Sequence, residues 1–495
     1  MARSSLPPLP DAPASPEAPI VPSRVERRRA RRRWYARPFV VIAAVTAIAG
    51  GLRFYHPSAP HAYVFDEVYY AKDGCFDAGF PYKDCKLENP GEQTVTVHPP
   101  LGRWIIAGSE AAFGNRPFGW RFSSAVAGTL SVALISLLAL ALFRSVLWAG
   151  AAGLLLATES LNFVQSRISM LDIFLALFVI AGFLFLVLDR RWLEKRTPPR
   201  PAEVPDEGLH LPPDRPAAPI FRPWRLATGV AFGAAAATKW SGVIALAGAI
   251  ILAVAWERTR RKEAGLPHPL WEAVRDEGFG IFVFLLIVPI AVYVASYARW
   301  WADHGTDIGG WWRLQQSMAS YSIHLRAKHP YASPAWSWIL MKRPVSYYYQ
   351  CVRMKGVNCA LPAEIIGIGN PLIFWGTVFT LPYALVAWIR KRDWRAGLIV
   401  VAISTQWFPW FLAARTNFLF YMTPVTPFMV LAGVYALRDL SQLRIGVERG
   451  RPLAPIAGLL FLASIGLFVF FLPVLTGRAL SYAAWKARIW FPSWI

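Results

Sequence analysis

The sequence predicts an all-α polytopic membrane protein. Three observations carry that expectation: long apolar runs, basic residues gathered in alternate short loops between them, and scarce ionisable groups placed at the ends of the runs. Of 495 residues, 55% are hydrophobic and 17% charged, and the apolar ones are contiguous, a pattern that belongs in lipid. The 23 Trp and 17 Tyr suit many membrane–water boundaries, where amphipathic rings settle. A formal net charge of +22 would also suit a nucleic-acid binder. Its distribution argues for topology instead, because "SRVERRRARRRWYARP" precedes the first apolar run and "DRRWLEKRTPPR", "ERTRRK" and "RKRDWR" fall between later ones. Basic residues in alternate short loops mark the cytoplasmic side, so no nucleic-acid partner is expected.

About 20 apolar residues cross a bilayer as a helix, and that length marks the elements in order. Residues 1–36 are Pro-rich, then Arg-rich, without hydrophobic periodicity, and read as a disordered basic cytoplasmic tail. The membrane part runs over 37–475, starting with a span at 37–55 and a polar loop at 56–120. Spans at 121–143, 147–164 and 170–188 follow, then a Pro- and charge-rich cytoplasmic linker at 189–223. Two small-residue spans, 225–238 and 241–257, meet at Lys239-Trp240, and the first is Ala/Gly-rich enough to predict tight packing on its neighbours. A span at 278–298, a second long loop at 299–370, and spans at 371–389, 396–413, 417–437 and 454–475 complete the set. Eleven spans put the N-terminus inside and both long loops outside, with 476–495 lying in the outer interface.

The four cysteines agree with that orientation. Cys75 and Cys85 lie in the first long loop, Cys351 and Cys359 in the second. Each loop can close its own disulfide, Cys75–Cys85 and Cys351–Cys359, in an oxidising compartment. A metal site is the weaker reading, since no His lies at useful spacing inside either pair.

Few ionisable residues stand at the outer span ends, and they are scattered in sequence: Asp66, Glu67, Arg121, Arg167, Asp172, Lys239 and Arg415. The predicted topology brings them all to one membrane surface. Acids near lipid are costly unless water or chemistry holds them there. Asp66 and Glu67 are sequence neighbours, about 100° apart on a helix, so they cannot oppose one another across one scissile bond. A glycosidase needs two opposed carboxyl groups because its leaving group must be protonated. A sugar already on phosphate has a competent leaving group, which cations can stabilise. One carboxylate that activates an acceptor hydroxyl then suffices, so the set suits inverting sugar transfer from a lipid phosphate. Arg167 and Asp172, five apart, are read either as an ion pair at a helix end or as part of that site. His98, before two prolines, is read as shaping its loop, and "SYYYQ" at 346–350 as an interfacial aromatic belt rather than an acceptor groove.

"FDE" after the first span, "HPPLGRW" (98–104), "SRISMLD" before the fourth span and "TKWSG" (238–242) together resemble the protein O-mannosyltransferase family. The resemblance runs over about 37–475 and implies a GT-C fold with two large extracytoplasmic loops. It implies transfer of mannose from a polyprenyl-phosphate-mannose donor to Ser or Thr hydroxyls of an acceptor polypeptide, at a plasma membrane. A secretion translocon is a partner compatible with such an acceptor. Asp66 falls on the family's base and Glu67 on its neighbour, which would orient the acceptor or tune the base. Arg121, Lys239 and, from "ARTNFLFYMTP", Arg415 fall on contacts to the donor phosphate, with Arg167, Asp172 and His98 in support. No metal is required by this scheme. The loop 299–370 is too short for the β-trefoil MIR domain of eukaryotic members, which points to the bacterial type. Tyr69 stands where eukaryotic members often carry His, and Arg103 where Lys is common; both bear on acceptor preference. The rival readings are a GT-C enzyme moving another sugar to a lipid or glycan, and more remotely a transporter of lipid-linked sugar. A transporter would carry its charges mid-span on broken helices, whereas here they sit at span ends.

Overall fold

The computed structural model describes residues 24–87, 97–196, 216, 219–354, 357–445 and 451–495. The chain begins with α1 (Arg24–Phe54), followed in the first long loop by α2 (Glu67–Asp77) and α3 (Leu101–Phe113). Next come α4 (Pro117–Phe143), α5 (Val146–Ala157), α6 (Ser160–Gln165) and α7 (Leu171–Glu194). Beyond the linker run α8 (Pro223–Thr238), α9 (Ser241–Glu263), and α10 (Pro269–Phe282), which passes through a π-helical turn into α11 (Val288–Ala295). The second long loop holds α12 (Ala298–His304), α13 (Ile308–His324) and an antiparallel hairpin, β1 (Val345–Met354) and β2 (Val357–Gly367). The chain closes with α14 (Pro371–Lys391), α15 (Trp394–Trp407), α16 (Pro409–Leu412), α17 (Thr426–Gln442), α18 (Ala454–Leu475) and α19 (Tyr482–Lys486).

Seven of these helical segments are long and apolar enough to cross a membrane: Arg37–Phe54, Pro117–Phe143, Leu171–Glu194, Ser241–Glu263, Pro269–Ala295, Pro371–Lys391 and Ala454–Leu475. The other four expected spans fall on the shorter helices α5, α8, α15 and α17. α7 forms the centre, packed between α4 and α8 and buried along most of its length. The predicted tight packing of α8 is present. An added Cβ at Gly229 would lie 1.9 Å from the Phe284 carbonyl oxygen, and one at Gly233 would meet Pro289 and Val292 at 2.8–3.0 Å. The π turn at Val283–Ile287 has a local cause in Pro289, which lacks an N–H and crowds the preceding turn. The widened backbone is what α8 presses against.

The structure gives local detail for three segments read from sequence. The basic tail is helical from Arg24 onward, because its Arg/Ala run favours helix and continues directly from a span; residues 1–23 lie outside the described residues. The run "SYYYQ" is strand. Tyr347 sits at a register shift in β1, is buried, and accepts a hydrogen bond from Gln165 Nε2 at 2.5 Å. The C-terminal segment is folded onto the protein. Trp485 donates to Glu364 of β2 at 2.7 Å, Trp494 donates to the Met341 carbonyl at 2.8 Å, and Arg343 reaches the Ser493 and Ile495 carbonyls at 2.8 and 2.6 Å.

Basic residues read from sequence as markers of topology are partly structural. At the end of the bundle where α7 and α9 finish and α8 and α10 begin, Arg222 pairs with Asp189 (2.6 Å), Glu277 (2.9 Å) and Glu257 (3.0 Å). Arg225 joins Glu277 at 2.6 Å, and Arg261 joins Glu257 at 2.9 Å. All these side chains are buried, and the network ties both flanks of the linker to the bundle; residues 197–215 and 217–218 lie outside the described residues.

Both disulfides form as expected, Cys75–Cys85 between the end of α2 and the turn after it, and Cys351–Cys359 across the hairpin. Replacing Cys75 and Cys85 together by Ala is expected to lower the thermal unfolding midpoint, because closing a loop of 10 residues contributes roughly 2–3 kcal/mol. An unchanged midpoint would show that α2 is held by packing alone.

Candidate active site

The "FDE" stretch splits its two acids between different tasks. After α1 ends, the chain turns through 55–65, and Phe65 adopts a left-handed backbone with φ of +48°, a conformation that non-glycine residues rarely hold without support. That support is aromatic. The Phe65 ring meets Tyr347, Phe420, His329 and Phe418 edge-on at centroid distances of 5.3 to 6.3 Å. The turn sets Asp66 as the N-cap of α2 and points Glu67 inward.

Glu67 is fully buried and fully bonded. Its carboxylate accepts from Arg121 Nε and Nη2 at 2.8 Å each, from the Val64 N–H at 2.8 Å and from the Ser169 N–H at 2.9 Å. Arg121 is equally committed: besides Glu67 it donates to the carbonyls of Pro57 (3.2 Å), Pro60 (2.8 Å) and Ala62 (2.9 Å). A guanidinium has five N–H groups, and these five bonds use them all. Arg121 therefore has no donor left for a phosphate, and Glu67 none of its acceptor face for an incoming hydroxyl. The pair is a clamp that holds the 57–67 turn against α4 and the chain before α7. Arg167 serves the same turn from the other side, donating to the carbonyls of Leu52, Arg53, Tyr55 and His56 at 2.6–3.2 Å. It caps α1 and makes no pair with Asp172.

Asp66 is different. Its carboxylate is half-buried, does not cap its own helix, and has no hydrogen bond or ion pair among the described residues. Burial pushes its pKa up to about 7, with the positive charge of Lys239 opposing and the negative charge of Asp172 adding to the rise. Lys239 stands in extended backbone between α8 and α9, where the helix break aims it inward. Its Nζ pairs with both Asp172 oxygens at 2.8 and 2.9 Å and lies 5.2 Å from the Tyr421 ring centre.

Among the described residues Arg415, between α16 and the turn Leu419–Met422, reaches only the Tyr421 hydroxyl, at 3.4 Å. It pairs with no carboxylate among the described residues, and its Nε is buried without a partner. A guanidinium in a cleft without an acid is ready for an anion. Burial, aided by the charges of Lys239, Arg415 and Arg103, holds the His98 imidazole well below its ordinary pKa, so it is neutral. The expected groups Asp66, Asp172, Lys239, Arg415 and His98 thus share one site, while Glu67, Arg121 and Arg167 form its frame.

Sequence reasoning missed two residues. Tyr70 is buried one turn after Asp66, and burial together with Asp66 and Asp172 raises its hydroxyl well above the usual value. The i+4 spacing on α2 was the available signal. Tyr421, beneath both Lys239 and Arg415, lay in a stretch that read as apolar. Among the described residues no group of three or more His, Cys, Asp and Glu converges as a metal site would. The arrangement can hold an anion on Arg415 and Lys239, and it can take a proton on Asp66.

Comparison with known proteins agrees in family and fold. Residues 91–198 match a family model described as dolichyl-phosphate-mannose-protein mannosyltransferase, and residues 308–494 match one described as the C-terminal four-transmembrane region of protein O-mannosyltransferase. The polyprenol-phosphate-mannose–protein mannosyltransferase of Mycolicibacterium smegmatis is 33% identical, with 93% of each chain covered, and that of Mycobacterium tuberculosis is 32% identical, with 92% covered. Among solved structures, the S. cerevisiae protein O-mannosyltransferase Pmt1–Pmt2 complex bound to the sugar donor matches with a TM-score of 0.72, at 13% identity over 92% of each chain. ArnT from Cupriavidus metallidurans bound to undecaprenyl phosphate matches with a TM-score of 0.52, at 15% identity over 89% of this chain and 77% of that one.

Proposed function

The chain belongs to the protein O-mannosyltransferase family, and from that premise we propose that it moves mannose from a polyprenyl-phosphate carrier to Ser or Thr hydroxyls of protein acceptors, with Asp66 as the base. One observation carries the assignment of roles. Among the described residues Asp66 is the site's unbonded carboxylate, with a pKa raised to about 7, and it shares its cleft with an arginine that has no acid partner there.

The donor phosphate binds Arg415, with Lys239 beside it. Asp66 takes the proton of the acceptor hydroxyl as its oxygen bonds to the anomeric carbon. The bond from that carbon to the phosphate oxygen breaks, and the polyprenyl phosphate leaves as an anion on the two cations. The attack is in line, so the configuration inverts. Asp172 holds Lys239 in place, and Tyr70 and neutral His98 line the cleft. The site draws on the same two long loops that carry the disulfides, and disulfides form in oxidising compartments, which supports an extracytoplasmic active site, a cytoplasmic N-terminus and a home in the plasma membrane.

The experiment is transfer of labelled mannose from polyprenyl-phosphate mannose to a Thr-containing peptide by the purified full-length protein. Label on the peptide is expected; label only on lipid or glycan would overturn the protein-acceptor reading. In the same assay, Arg415→Ala is expected to raise the donor KM by about 10- to 100-fold, since charge-assisted hydrogen bonds are worth roughly 1.5–3 kcal/mol. An unchanged donor KM would remove Arg415 from the phosphate site.

A further inference from the structure

We infer that Tyr347, on the hairpin of the second long loop, is a positioning residue that fixes where the base Asp66 stands relative to the cations of the donor phosphate. This rests on the roles of Asp66, Lys239 and Arg415 proposed above. Tyr347 acts through two other rings, Phe65 on one side and Phe420 on the other.

The Tyr347 ring stands between the two halves of the site. It meets Phe65 edge-on at 5.3 Å, and Phe65 is the residue with left-handed backbone directly before Asp66. It meets Phe420 at 6.1 Å, and the Lys239 Nζ lies 6.0 Å from the Phe420 ring centre. Phe420 belongs to the turn that also carries Tyr421, the partner of Arg415. Phe65 and Phe420 touch each other as well, at 5.8 Å, so the three rings close a triangle. Close-packed interiors transmit a displacement rather than absorb it.

Tyr347 is the anchored corner of that triangle. The register shift between Ser346 and Tyr348 re-aims its side chain, which is buried. Gly367 on β2 makes room for the ring, since an added Cβ there would lie 2.5 Å from a ring carbon. The hydroxyl is tied to Gln165, fully buried on α6. The hairpin itself is closed by Cys351–Cys359 and held by Trp485 on Glu364. Phe65, by contrast, sits on a turn in a backbone conformation that persists only with support. The anchored ring therefore dictates the place of Phe65, and with it that of Asp66.

Loss of the ring would open space beside Phe65 and let water approach Asp66, weakening the burial that raises its pKa. The acid limb of the rate would then move to lower pH. The other groups that face Asp66 are Lys239 between α8 and α9, Asp172 on α7, Tyr70 on α2 and Tyr421 in the turn before α17. Arg415 and His98 share the cleft, and none of these six is altered by a substitution at Tyr347.

The test uses the full-length protein, polyprenyl-phosphate mannose and the Thr-containing peptide, with variants compared at equal folded fraction. Tyr347→Ala is expected to lower kcat by about 10²-fold, the cost of a small misplacement of a catalytic group. Its donor KM should change little, and its acid limb in kcat/KM should move to lower pH. Tyr347→Phe keeps the ring and loses one neutral hydrogen bond, so it should lose no more than about 10-fold, with the acid limb in place. Tyr347→Leu fills part of the space and should fall between the two, which keeps the test open if the Ala protein is not recovered folded. Wild-type kcat in a folded Tyr347→Ala or Tyr347→Leu protein would overturn the inference. So would a lowered kcat with an unmoved acid limb, or a Tyr347→Phe protein as impaired as Tyr347→Ala. Nearly full activity of Asp66→Asn, measured alongside, would instead defeat the reading of the base, and this inference with it.

Discussion

Asp66→Asn is expected to lower kcat by about 10³-fold while leaving the protein folded and its donor affinity nearly unchanged. Loss of a positioned general base typically removes 10²- to 10⁴-fold. The amide has the size of the carboxylate but cannot accept the acceptor's proton. Nothing in the fold depends on the charge, because the Asp66 carboxylate has no bonded partner among the described residues. The check is kcat and donor KM for the two proteins at matched thermal midpoints. Nearly full activity in a folded Asp66→Asn protein would mean that another group removes the proton.

Arg121→Ala carries the largest expected loss of stability. The substitution leaves the buried Glu67 carboxylate without its counter-charge and strips a donor from the carbonyls of Pro57, Pro60 and Ala62. Breaking a buried ion pair from one side costs about 3–5 kcal/mol, a large fraction of a typical folding free energy. The expected result is protein that cannot be recovered folded, or one with a sharply lowered midpoint. Arg121→Lys keeps the charge but has three donors against five and lacks the planar fork. It should fold with a reduced midpoint and a low kcat, because the turn that presents Asp66 loosens, with little change in donor KM. A well-folded Arg121→Lys protein whose only defect is a raised donor KM would restore Arg121 to the phosphate site.

Apolar run length placed the main spans, since the bilayer imposes that length on any helix that crosses it. Both disulfides were legible because each pair is local. The convergence of Asp66, Asp172, Lys239 and Arg415 was legible because topology alone brings span ends to one surface. The distinction between Asp66 and Glu67 was not. It depends on Arg121 from α4 and the Ser169 N–H before α7, partners 54 and 102 residues away that no local pattern encodes. The ionic network around Arg222 stayed hidden for the same reason, as its members come from four helices. The hairpin was missed because its tyrosines come consecutively, where a strand with one buried face would alternate.

The central claim is that Asp66 is a base poised near neutral pH by its surroundings, and the pH dependence of kcat/KM tests it most directly. That ratio reports ionisations of the free enzyme, and a phosphodiester donor has none in the relevant range. Because burial raises Asp66 to about 7, the rate should fall as pH drops through 7, tenfold per unit below it. Asp172→Asn removes a negative charge that adds to the rise, so its acid limb should move to lower pH. An acid limb near 7 that shifts downward in Asp172→Asn is the predicted result. A wild-type profile flat from pH 5 to 8 would contradict the account.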